Sequence, residues 1–176
     1  MFPSWQTSRA GDHGGVSNPY SVMVVCTGNI CRSPMAEIVL RERFAAAGLG
    51  EQVVVDSTGI SDEEHGNPVD RRARAVLVAH GYPAGDGHRA RQVEADDRRD
   101  LVLAMTSAHA RALRGMDPVL YRSFDPDAVG NLDVADPWYG GPRDFEACLT
   151  QIEAAADGIV DHVRNILGNA RAVQNG

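Results

Sequence analysis

The sequence predicts a single α/β domain in which a four-stranded parallel sheet is flanked by helices on both faces. Short runs of β-branched residues alternate along the chain with longer segments of helical periodicity. The chain has 176 residues, the size of one domain with its own hydrophobic core. Because strands separated by helices are joined by right-handed crossovers, the strands are expected to lie parallel.

The elements follow one another in alternating order. Strands are expected at 22–25, 53–55, 101–105 and 119–124, and helices at 34–47, 70–80, 107–113 and 143–167. The first helix is predicted to have Ser33 as its N-cap and Pro34 at its first position, and to end before Gly48. The last helix has one apolar face, formed by Phe145, Leu149, Ile152, Ile159, Val163 and Ile166.

The two ends of the chain differ in composition from the predicted domain at 20–168. Residues 1–19 are expected to form a disordered extension, because they are rich in glycine, serine, proline and asparagine. They lack the basic start and apolar block of a secretory signal. Residues 169–176 are expected to be a C-terminal tail.

Composition excludes several classes of function. The formal net charge of −7 argues against nucleic acid as a partner, and no apolar run approaches the roughly 18 residues of a membrane span. All 17 basic residues are arginine, so a phosphate group would be held by arginine, backbone amides or a metal. The three cysteines include no CxxC pair, which argues against structural zinc and favours a reducing cytoplasm.

The stretch CTGNICRS at 26–33 combines a nucleophile with groups that bind anions. Cys26 directly follows a predicted buried strand, and a predicted helix begins about seven residues later. In this arrangement backbone amides, aided by Gly28, can surround an anion. The positive field of the helix N-terminus and of Arg32 favours a thiolate at Cys26. The planar guanidinium of Arg32 matches two oxygens of a phosphate group.

The longer stretch CTGNICRSPMAE resembles the phosphate-binding loop of the low-molecular-weight protein tyrosine phosphatases. The resemblance continues through VDSTG at 55–59, GHRARQV at 87–93 and ADPWYG at 135–140, and it covers the chain from about Val22 to Leu167. It implies the phosphotyrosine phosphatase I-like fold. It also implies hydrolysis of protein phosphotyrosine and small aryl phosphates through a phosphocysteine intermediate, with no metal and no cofactor.

The resemblance also implies a role for each matching residue. Cys26 would attack the phosphorus, Arg32 would hold the phosphate oxygens, and Asp136 would act first as the general acid and then as the general base. The remaining phosphate-binding and substrate-binding positions would be Thr27, Gly28, Asn29, Ile30, Cys31, Ser33, Trp138 and Tyr139.

Further roles carried by the resemblance concern support of the loop. Ser57 and His88 would brace Asn29 in a left-handed conformation, and Ser33 would stabilise the leaving thiolate. Cys31 either packs or forms a reversible disulfide with Cys26. Four other histidines, at positions 65, 80, 109 and 162, are expected to be solvated or core residues rather than metal ligands.

Two positions depart from the family pattern. Residues 61–65 include Glu63 and Glu64 but none of the aromatic residues that many members carry there, and Thr106 stands where many members have aspartate. The two glutamates either favour peptides with basic residues beside the phosphate or simply belong to a solvated loop.

Three alternatives remain. Protein-arginine phosphatases share the loop but typically carry threonine at the position of Ile30, so Ile30 favours phosphotyrosine. Arsenate reductases need two further cysteines, whereas only Cys148 remains here. A non-catalytic phosphate-binding module would be expected to lack the nucleophile, the arginine or the acid, and all three are present.

The expected partners are proteins that carry phosphotyrosine, with inorganic phosphate as the product. Neither nucleic acid nor a membrane is expected to bind. The protein is expected to be a cytoplasmic monomer or weak dimer.

Overall fold

Four parallel strands form one sheet in this computed structural model, which describes residues 18–175. The strands are β1 (Tyr20–Cys26), β2 (Val53–Gly59), β3 (Leu101–Ala104) and β4 (Val119–Leu120), and their order in the sheet is β2-β1-β3-β4. The helices are α1 (Arg32–Ala46), α2 (Arg71–Ala79), α3 (Ser107–Ala112) and α4 (Pro142–Gln174). The predicted parallel sheet with helices on both faces is confirmed.

The alternation of side chains along β1 creates two hydrophobic cores. Val22, Val24 and Cys26 belong to the larger core, which contains residues of α1, α2 and α4. Met23 and Val25 point to the opposite face, where a smaller core contains residues of α3 and of the segment that follows it. This period of two is the geometry of any β-strand, and it explains why the run VMVV is apolar at every position.

The carboxyl ends of β1 and β2 lie side by side, with Cys26 paired to Gly59. A Cβ atom at Gly59 would lie 2.5 Å from the carbonyl oxygen of Thr27, so the next segment of chain passes too closely for any side chain there. The loop that follows β1 is therefore packed directly against the end of β2.

Two elements differ from the sequence-based prediction at their ends. The run 119–124 forms only the two-residue strand β4, and Tyr121–Phe124 is a 3₁₀ turn. The turn buries Tyr121 completely, and its hydroxyl donates to the carbonyl of Ile152 in α4. Helix α4 continues through residues 169–174, where the sequence predicts a tail, because no glycine-plus-proline stop signal interrupts the pattern there.

The start of α1 also differs from the prediction, because Ser33 is not its N-cap. The helix begins at Arg32, Cys31 occupies the N-cap position, and no side chain caps the helix. Ser33 is fully buried inside the first turn. Gly48 follows the end of the helix with φ of 74°, as expected for a glycine that ends a helix.

The predicted disordered extension lies almost entirely outside the described residues, which begin at position 18. Among the helices of residues 18–175, none combines the length and the apolar character that crossing a membrane requires.

Candidate active site

The loop between β1 and α1, residues 26–32 and called the Cys loop below, is held by its carbonyl groups. Five of its carbonyl oxygens accept hydrogen bonds from surrounding segments: those of Cys26, Thr27, Asn29, Ile30 and Cys31. Their donors are the amides of Ile60, Ser61, Asp70 and Met35 and the Nε2 atom of His88. Within the described part of the chain, the amides of residues 28–31 donate no hydrogen bond to protein. They remain available to an oxyanion.

Asn29 holds the middle of the Cys loop in a left-handed conformation, with φ of 59°, as predicted. Its Nδ2 atom donates to the hydroxyls of Ser33 and Ser57, each at 2.9 Å. Its Oδ1 atom accepts from the amide of Arg91 at 3.0 Å. The carbonyl of Asn29 accepts from His88 at 2.7 Å. The structure therefore brings Ser57 and His88 to Asn29, on the outer side of the loop.

The thiol of Cys26 is almost completely buried, and its Sγ atom lies 3.0 Å from the hydroxyl of Ser33. That hydroxyl accepts from Asn29 and can donate its only proton either to Cys26 or to the carbonyl of Thr58, which is 3.1 Å away. When Cys26 is a thiolate, the proton of Ser33 is expected to turn toward sulfur, because a charged acceptor forms the stronger hydrogen bond.

The two other cysteines have pKa values that keep them as thiols. Burial raises the pKa of Cys31 far above its ordinary range, and the carboxylate of Asp70 raises it further. Burial also raises the pKa of Cys148 to about 12, since this residue of α4 belongs to the larger core. Cys148 is buried and packs in this core rather than facing solvent.

Arg32 connects the Cys loop to the loop 135–140, called the acid loop below. Its Nη2 atom lies 3.1 Å from Oδ2 of Asp136, and its Nη1 atom donates to the carbonyl of Val134 at 3.1 Å. The side chain of Arg32 is only 5% exposed, whereas that of Asp136 is 38% exposed. Arg32 is thus fixed from two sides while the carboxylate of Asp136 faces the cavity.

His109, which the sequence alone predicts to be a solvated or core residue, is a neighbour of this site. Its Nε2 atom lies 2.9 Å from the hydroxyl of Thr27, which also accepts from Arg32 at 3.4 Å. Burial, followed by the charge of Arg32, lowers the pKa of His109 to about 4. Thr106 caps the helix that carries His109 by accepting from its amide at 3.2 Å, which gives the unusual threonine a structural role.

The cavity in front of Cys26 has a volume of about 200 Å³ and three walls. The Cys loop forms its floor, the acid loop forms one side, and the loop after β2 forms the other. The lining residues are Cys26, Thr27, Gly28, Ile30, Cys31, Arg32, Glu63, Glu64, Asp136, Trp138 and Tyr139. The structure thus brings the sequence-predicted site residues together, with Asn29, Ser33, Ser57 and His88 behind the floor.

Glu37 was missed although the sequence contained a signal for it. It is the only charged residue in the buried segment Pro34–Leu40, and it lies one helical turn after Ser33. Its Oε2 atom accepts from the hydroxyl of Ser57 at 2.5 Å, and its Oε1 atom pairs with Arg41 at 2.6 Å. Glu37 thereby fixes the serine that braces Asn29.

A buried thiol at the end of a parallel strand, ringed by free amides and an arginine and facing a carboxylate, defines a cysteine-dependent phosphatase. The profile of the low molecular weight phosphotyrosine protein phosphatase family matches residues 21–167. The chain belongs to this family.

Individual relatives agree with the family match. The chain is 49% identical over 156 residues to the low molecular weight protein-tyrosine-phosphatase of Streptomyces coelicolor, covering 82% of this chain and 94% of the relative. It is 38% identical over 142 residues to the low molecular weight phosphotyrosine protein phosphatase of Homo sapiens, covering 74% and 87%.

A solved structure with the same fold is that of YfkJ from Bacillus subtilis. It superposes with a TM-score of 0.78 at 31% identity, covering 86% of this chain and 98% of YfkJ.

Proposed function

We propose that this chain hydrolyses phosphotyrosine in proteins, with Cys26 as nucleophile, Arg32 as phosphate clamp and Asp136 as acid and then base. The observation that carries the proposal is the convergence of the three groups on one cavity. The buried thiol of Cys26 lies at its floor, and Arg32 links that floor to Asp136 through a contact of 3.1 Å. The family to which the chain belongs supports the same reaction.

In the first step, the thiolate of Cys26 attacks phosphorus. A sulfur–phosphorus bond forms, the bond from phosphorus to the tyrosine oxygen breaks, and Asp136 donates its proton to the leaving oxygen. The amides of residues 28–31 and the guanidinium of Arg32 hold the three other oxygens as charge moves onto them.

In the second step, water attacks the phosphocysteine. Asp136, now a carboxylate, takes a proton from the water, the sulfur–phosphorus bond breaks, and inorganic phosphate leaves. The hydroxyl of Ser33 donates to the departing thiolate, which its distance of 3.0 Å from Cys26 supports. The residues named here supply the nucleophile, the proton and the charge that both steps require.

The preference for a phenyl ring rests on the cavity walls. Ile30 lies in the cavity and is 8% exposed, so it offers an apolar contact beside the phosphate. Trp138 and Tyr139 line the side formed by the acid loop, with Tyr139 92% exposed. An aromatic ring that enters above Cys26 would pack against this wall.

A second candidate is phosphoarginine, which one observation favours. Glu63 and Glu64 line the cavity opposite the aromatic wall, where carboxylates would attract a guanidinium. Phosphotyrosine remains the proposal, because Ile30 lies at the position where protein-arginine phosphatases typically carry threonine. A basic segment flanking phosphotyrosine would use the same two carboxylates.

The test is a side-by-side measurement of turnover on phosphotyrosine and phosphoarginine peptides of matched sequence, without metal and with reductant. The variant Cys26→Ser serves as the blank. We expect faster turnover of the phosphotyrosine peptide. Faster turnover of the phosphoarginine peptide would replace the substrate while retaining Cys26, whereas two rates equal to the blank would contradict the proposed enzyme.

The proposal extends to the setting of the enzyme. The phosphatase domain is placed at residues 20–168, and phosphoproteins are its partners. A reducing cytoplasm suits a nucleophile that works as a thiolate, since oxidation would block it. The enzyme is proposed to act as a monomer or weak dimer.

A further inference from the structure

Arg72, near the start of α2, connects three segments of the site. Its Nε and Nη2 atoms donate to the two carboxylate oxygens of Asp70, each at 3.0 Å. Its Nη1 atom donates to the carbonyls of Trp138 and Gly140, at 3.0 and 3.2 Å. Four of its five N–H donors are thereby used, two on Asp70 and two on the acid loop.

Asp70 extends this connection to the Cys loop. Its amide donates to the carbonyl of Ile30 at 2.8 Å, and its carboxylate caps α2 by accepting from the amide of Arg72 at 2.8 Å. Burial alone would raise the pKa of Asp70, but hydrogen bonds from the side chain and amide of Arg72 bring it below its ordinary value. The carboxylate therefore stays charged and keeps the fork of Arg72 oriented.

Aromatic rings hold the same guanidinium from its faces. Its central carbon lies 5.2 Å from the ring centre of Trp138 in the acid loop and 4.6 Å from that of Phe145 in α4. Both distances are within the range of cation–π attraction. The planar fork and the stacking together describe a site that lysine would not reproduce.

The acid loop has few other attachments. Across residues 18–175, its hydrogen bonds to the rest of the protein come from Arg72, beside the ion pair of Asp136 with Arg32. The remaining bonds are internal, such as that from the amide of Gly140 to the carbonyl of Pro137. A bound phosphate would draw Arg32 toward itself, and Arg72 would then be the remaining polar anchor of the loop.

We infer that Arg72 is a positioning residue that holds the carboxyl of Asp136 and the ring of Trp138 in place above Cys26. Arg72 is not among the residues that line the cavity in front of Cys26, so it is expected to touch neither the phosphate nor the leaving group. The inference rests on the proposed function of Asp136 as the acid. Its specific consequence is that losing Arg72 impairs proton donation more than phosphate binding.

The experiment compares Arg72→Met with the matched control Arg74→Met. Arg74 lies on the same helix and also pairs with an aspartate, Asp86, but contacts neither loop of the site. The substrates are phenyl phosphate, whose leaving group needs a proton, and p-nitrophenyl phosphate, whose leaving group needs one far less. Inhibition by inorganic phosphate measures binding to the Cys loop.

For Arg72→Met we expect kcat/KM, which reports the first step, to fall about tenfold or more on phenyl phosphate, with a loss of less than about threefold on p-nitrophenyl phosphate. Inhibition by phosphate should remain within about twofold of the parent value. An equal loss on both substrates, or a weakened affinity for phosphate, would show a merely structural role and overturn the inference. The inference would also be overturned if Arg72→Met had the same kinetics as the control Arg74→Met.

Two further variants keep the result interpretable. Arg72→Lys retains the charge and should fold even if Arg72→Met does not, yet it should show the same dependence on the leaving group because it lacks the fork. Asp136→Asn tests the proposed function separately. If the loss of activity in Asp136→Asn does not depend on the leaving group, the proposed role of Asp136 as the acid is wrong. If that loss depends on the leaving group in Asp136→Asn but not in the Arg72 variants, only the inference about Arg72 is wrong.

The double variant Arg72→Met with Asp136→Asn completes a cycle. Once the acid is absent, removing Arg72 should add little to the loss on phenyl phosphate.

Fluorescence gives an independent readout, because Trp138 becomes the only tryptophan after Trp5→Phe. Quenching of Trp138 by acrylamide should increase in Arg72→Met. Additive kinetic losses with unchanged quenching would contradict the inference.

Discussion

The carboxylate of Asp136 lies 3.1 Å from the guanidinium of Arg32, so the proposed acid and the proposed phosphate clamp are partners before any substrate enters. A phosphate group on Cys26 would compete with Asp136 for Arg32. Its arrival would release the carboxyl toward the leaving oxygen. Phosphate binding and positioning of the acid are therefore linked through one side chain.

Replacing Asp136 should affect substrates according to their leaving groups. We expect Asp136→Ala to lower kcat/KM, which reports the first step, by about a hundredfold or more on phenyl phosphate and much less on p-nitrophenyl phosphate. The reason is that only a poor leaving group requires the donated proton. Steady-state rates on both substrates make the measurement, and an equal loss on the two would count against Asp136 as the acid.

Replacing Ser33 should slow the second step more than the first. In Ser33→Ala the departing thiolate loses its hydroxyl donor, so we expect kcat to fall by about tenfold to a hundredfold. Rapid mixing should then reveal a burst of phenol release, because the phosphocysteine accumulates. Ser123→Ala removes an exposed hydroxyl that donates to the carbonyl of Leu120 and does not line the cavity, so this control should behave like the parent. Absence of a burst would argue against this role of Ser33.

Two substitutions of Asn29 separate backbone conformation from hydrogen bonding. Asn29→Ala removes the side-chain hydrogen bonds and places alanine at a φ of 59°, so we expect a loss of about 3 kcal/mol in the free energy of unfolding. Asn29→Gly tolerates that φ and should be more stable than the alanine variant by about 1 kcal/mol. Urea denaturation measures both values. Equal stability of the two variants would show that the backbone conformation is not costly.

His109 should make the protein less stable in acid. Its pKa is lowered from 6.5 to about 4 in the folded protein, so between these values the unfolded chain binds more protons. Stability should fall as the pH decreases from 6.5 to about 4, by about 3 kcal/mol from this group, with no further contribution below that.

The check is urea denaturation of the parent and of His109→Gln across this range. The two stability curves should converge as the pH falls, because the variant lacks the titrating group. His65→Gln, at an exposed histidine, should track the parent instead. Parallel curves for the parent and His109→Gln would contradict the assignment.

Cys31 should protect Cys26 from permanent oxidation. Because burial keeps Cys31 a thiol, peroxide is expected to oxidise the thiolate of Cys26 first to a sulfenic acid. The thiol of Cys31 would then displace water and form a disulfide. Treatment with hydrogen peroxide followed by dithiothreitol should restore activity in the parent but much less in Cys31→Ser. Equal recovery would leave Cys31 as a packing residue.

The parts of the structure that depend on local pattern could be predicted from sequence. The strands β1 to β3, the stop at Gly48, the left-handed Asn29 and the convergence of Cys26 with Asp136 all followed from short motifs or from family resemblance. Ser33 shows the limit of prediction from local pattern. A serine before a proline predicts a helix cap, but the hydroxyl of Ser33 instead contacts the buried thiol of Cys26, and that tertiary contact is not visible in the local sequence.

The residues that were missed act across long stretches of chain. Arg72 reaches the carbonyl of Trp138, 66 residues away, and nothing within its own helix indicates that contact. His109 reaches Thr27 across 82 residues. A general rule about parallel sheets indicates that His109 lies near the site. Ligands of such sheets bind at the carboxyl ends of the strands, and His109 lies in the first helix after β3.

The five bonded carbonyls of the Cys loop have a thermodynamic consequence. Ordering a flexible segment of this length costs roughly 1–2 kcal/mol of backbone entropy per residue. Here that entropy is lost when the protein folds, because neighbouring segments fix the peptide planes without help from a ligand. An incoming phosphate thus loses its own freedom and its hydration, while the loop gives up almost none. Product phosphate can likewise depart without any rearrangement of the backbone that held it.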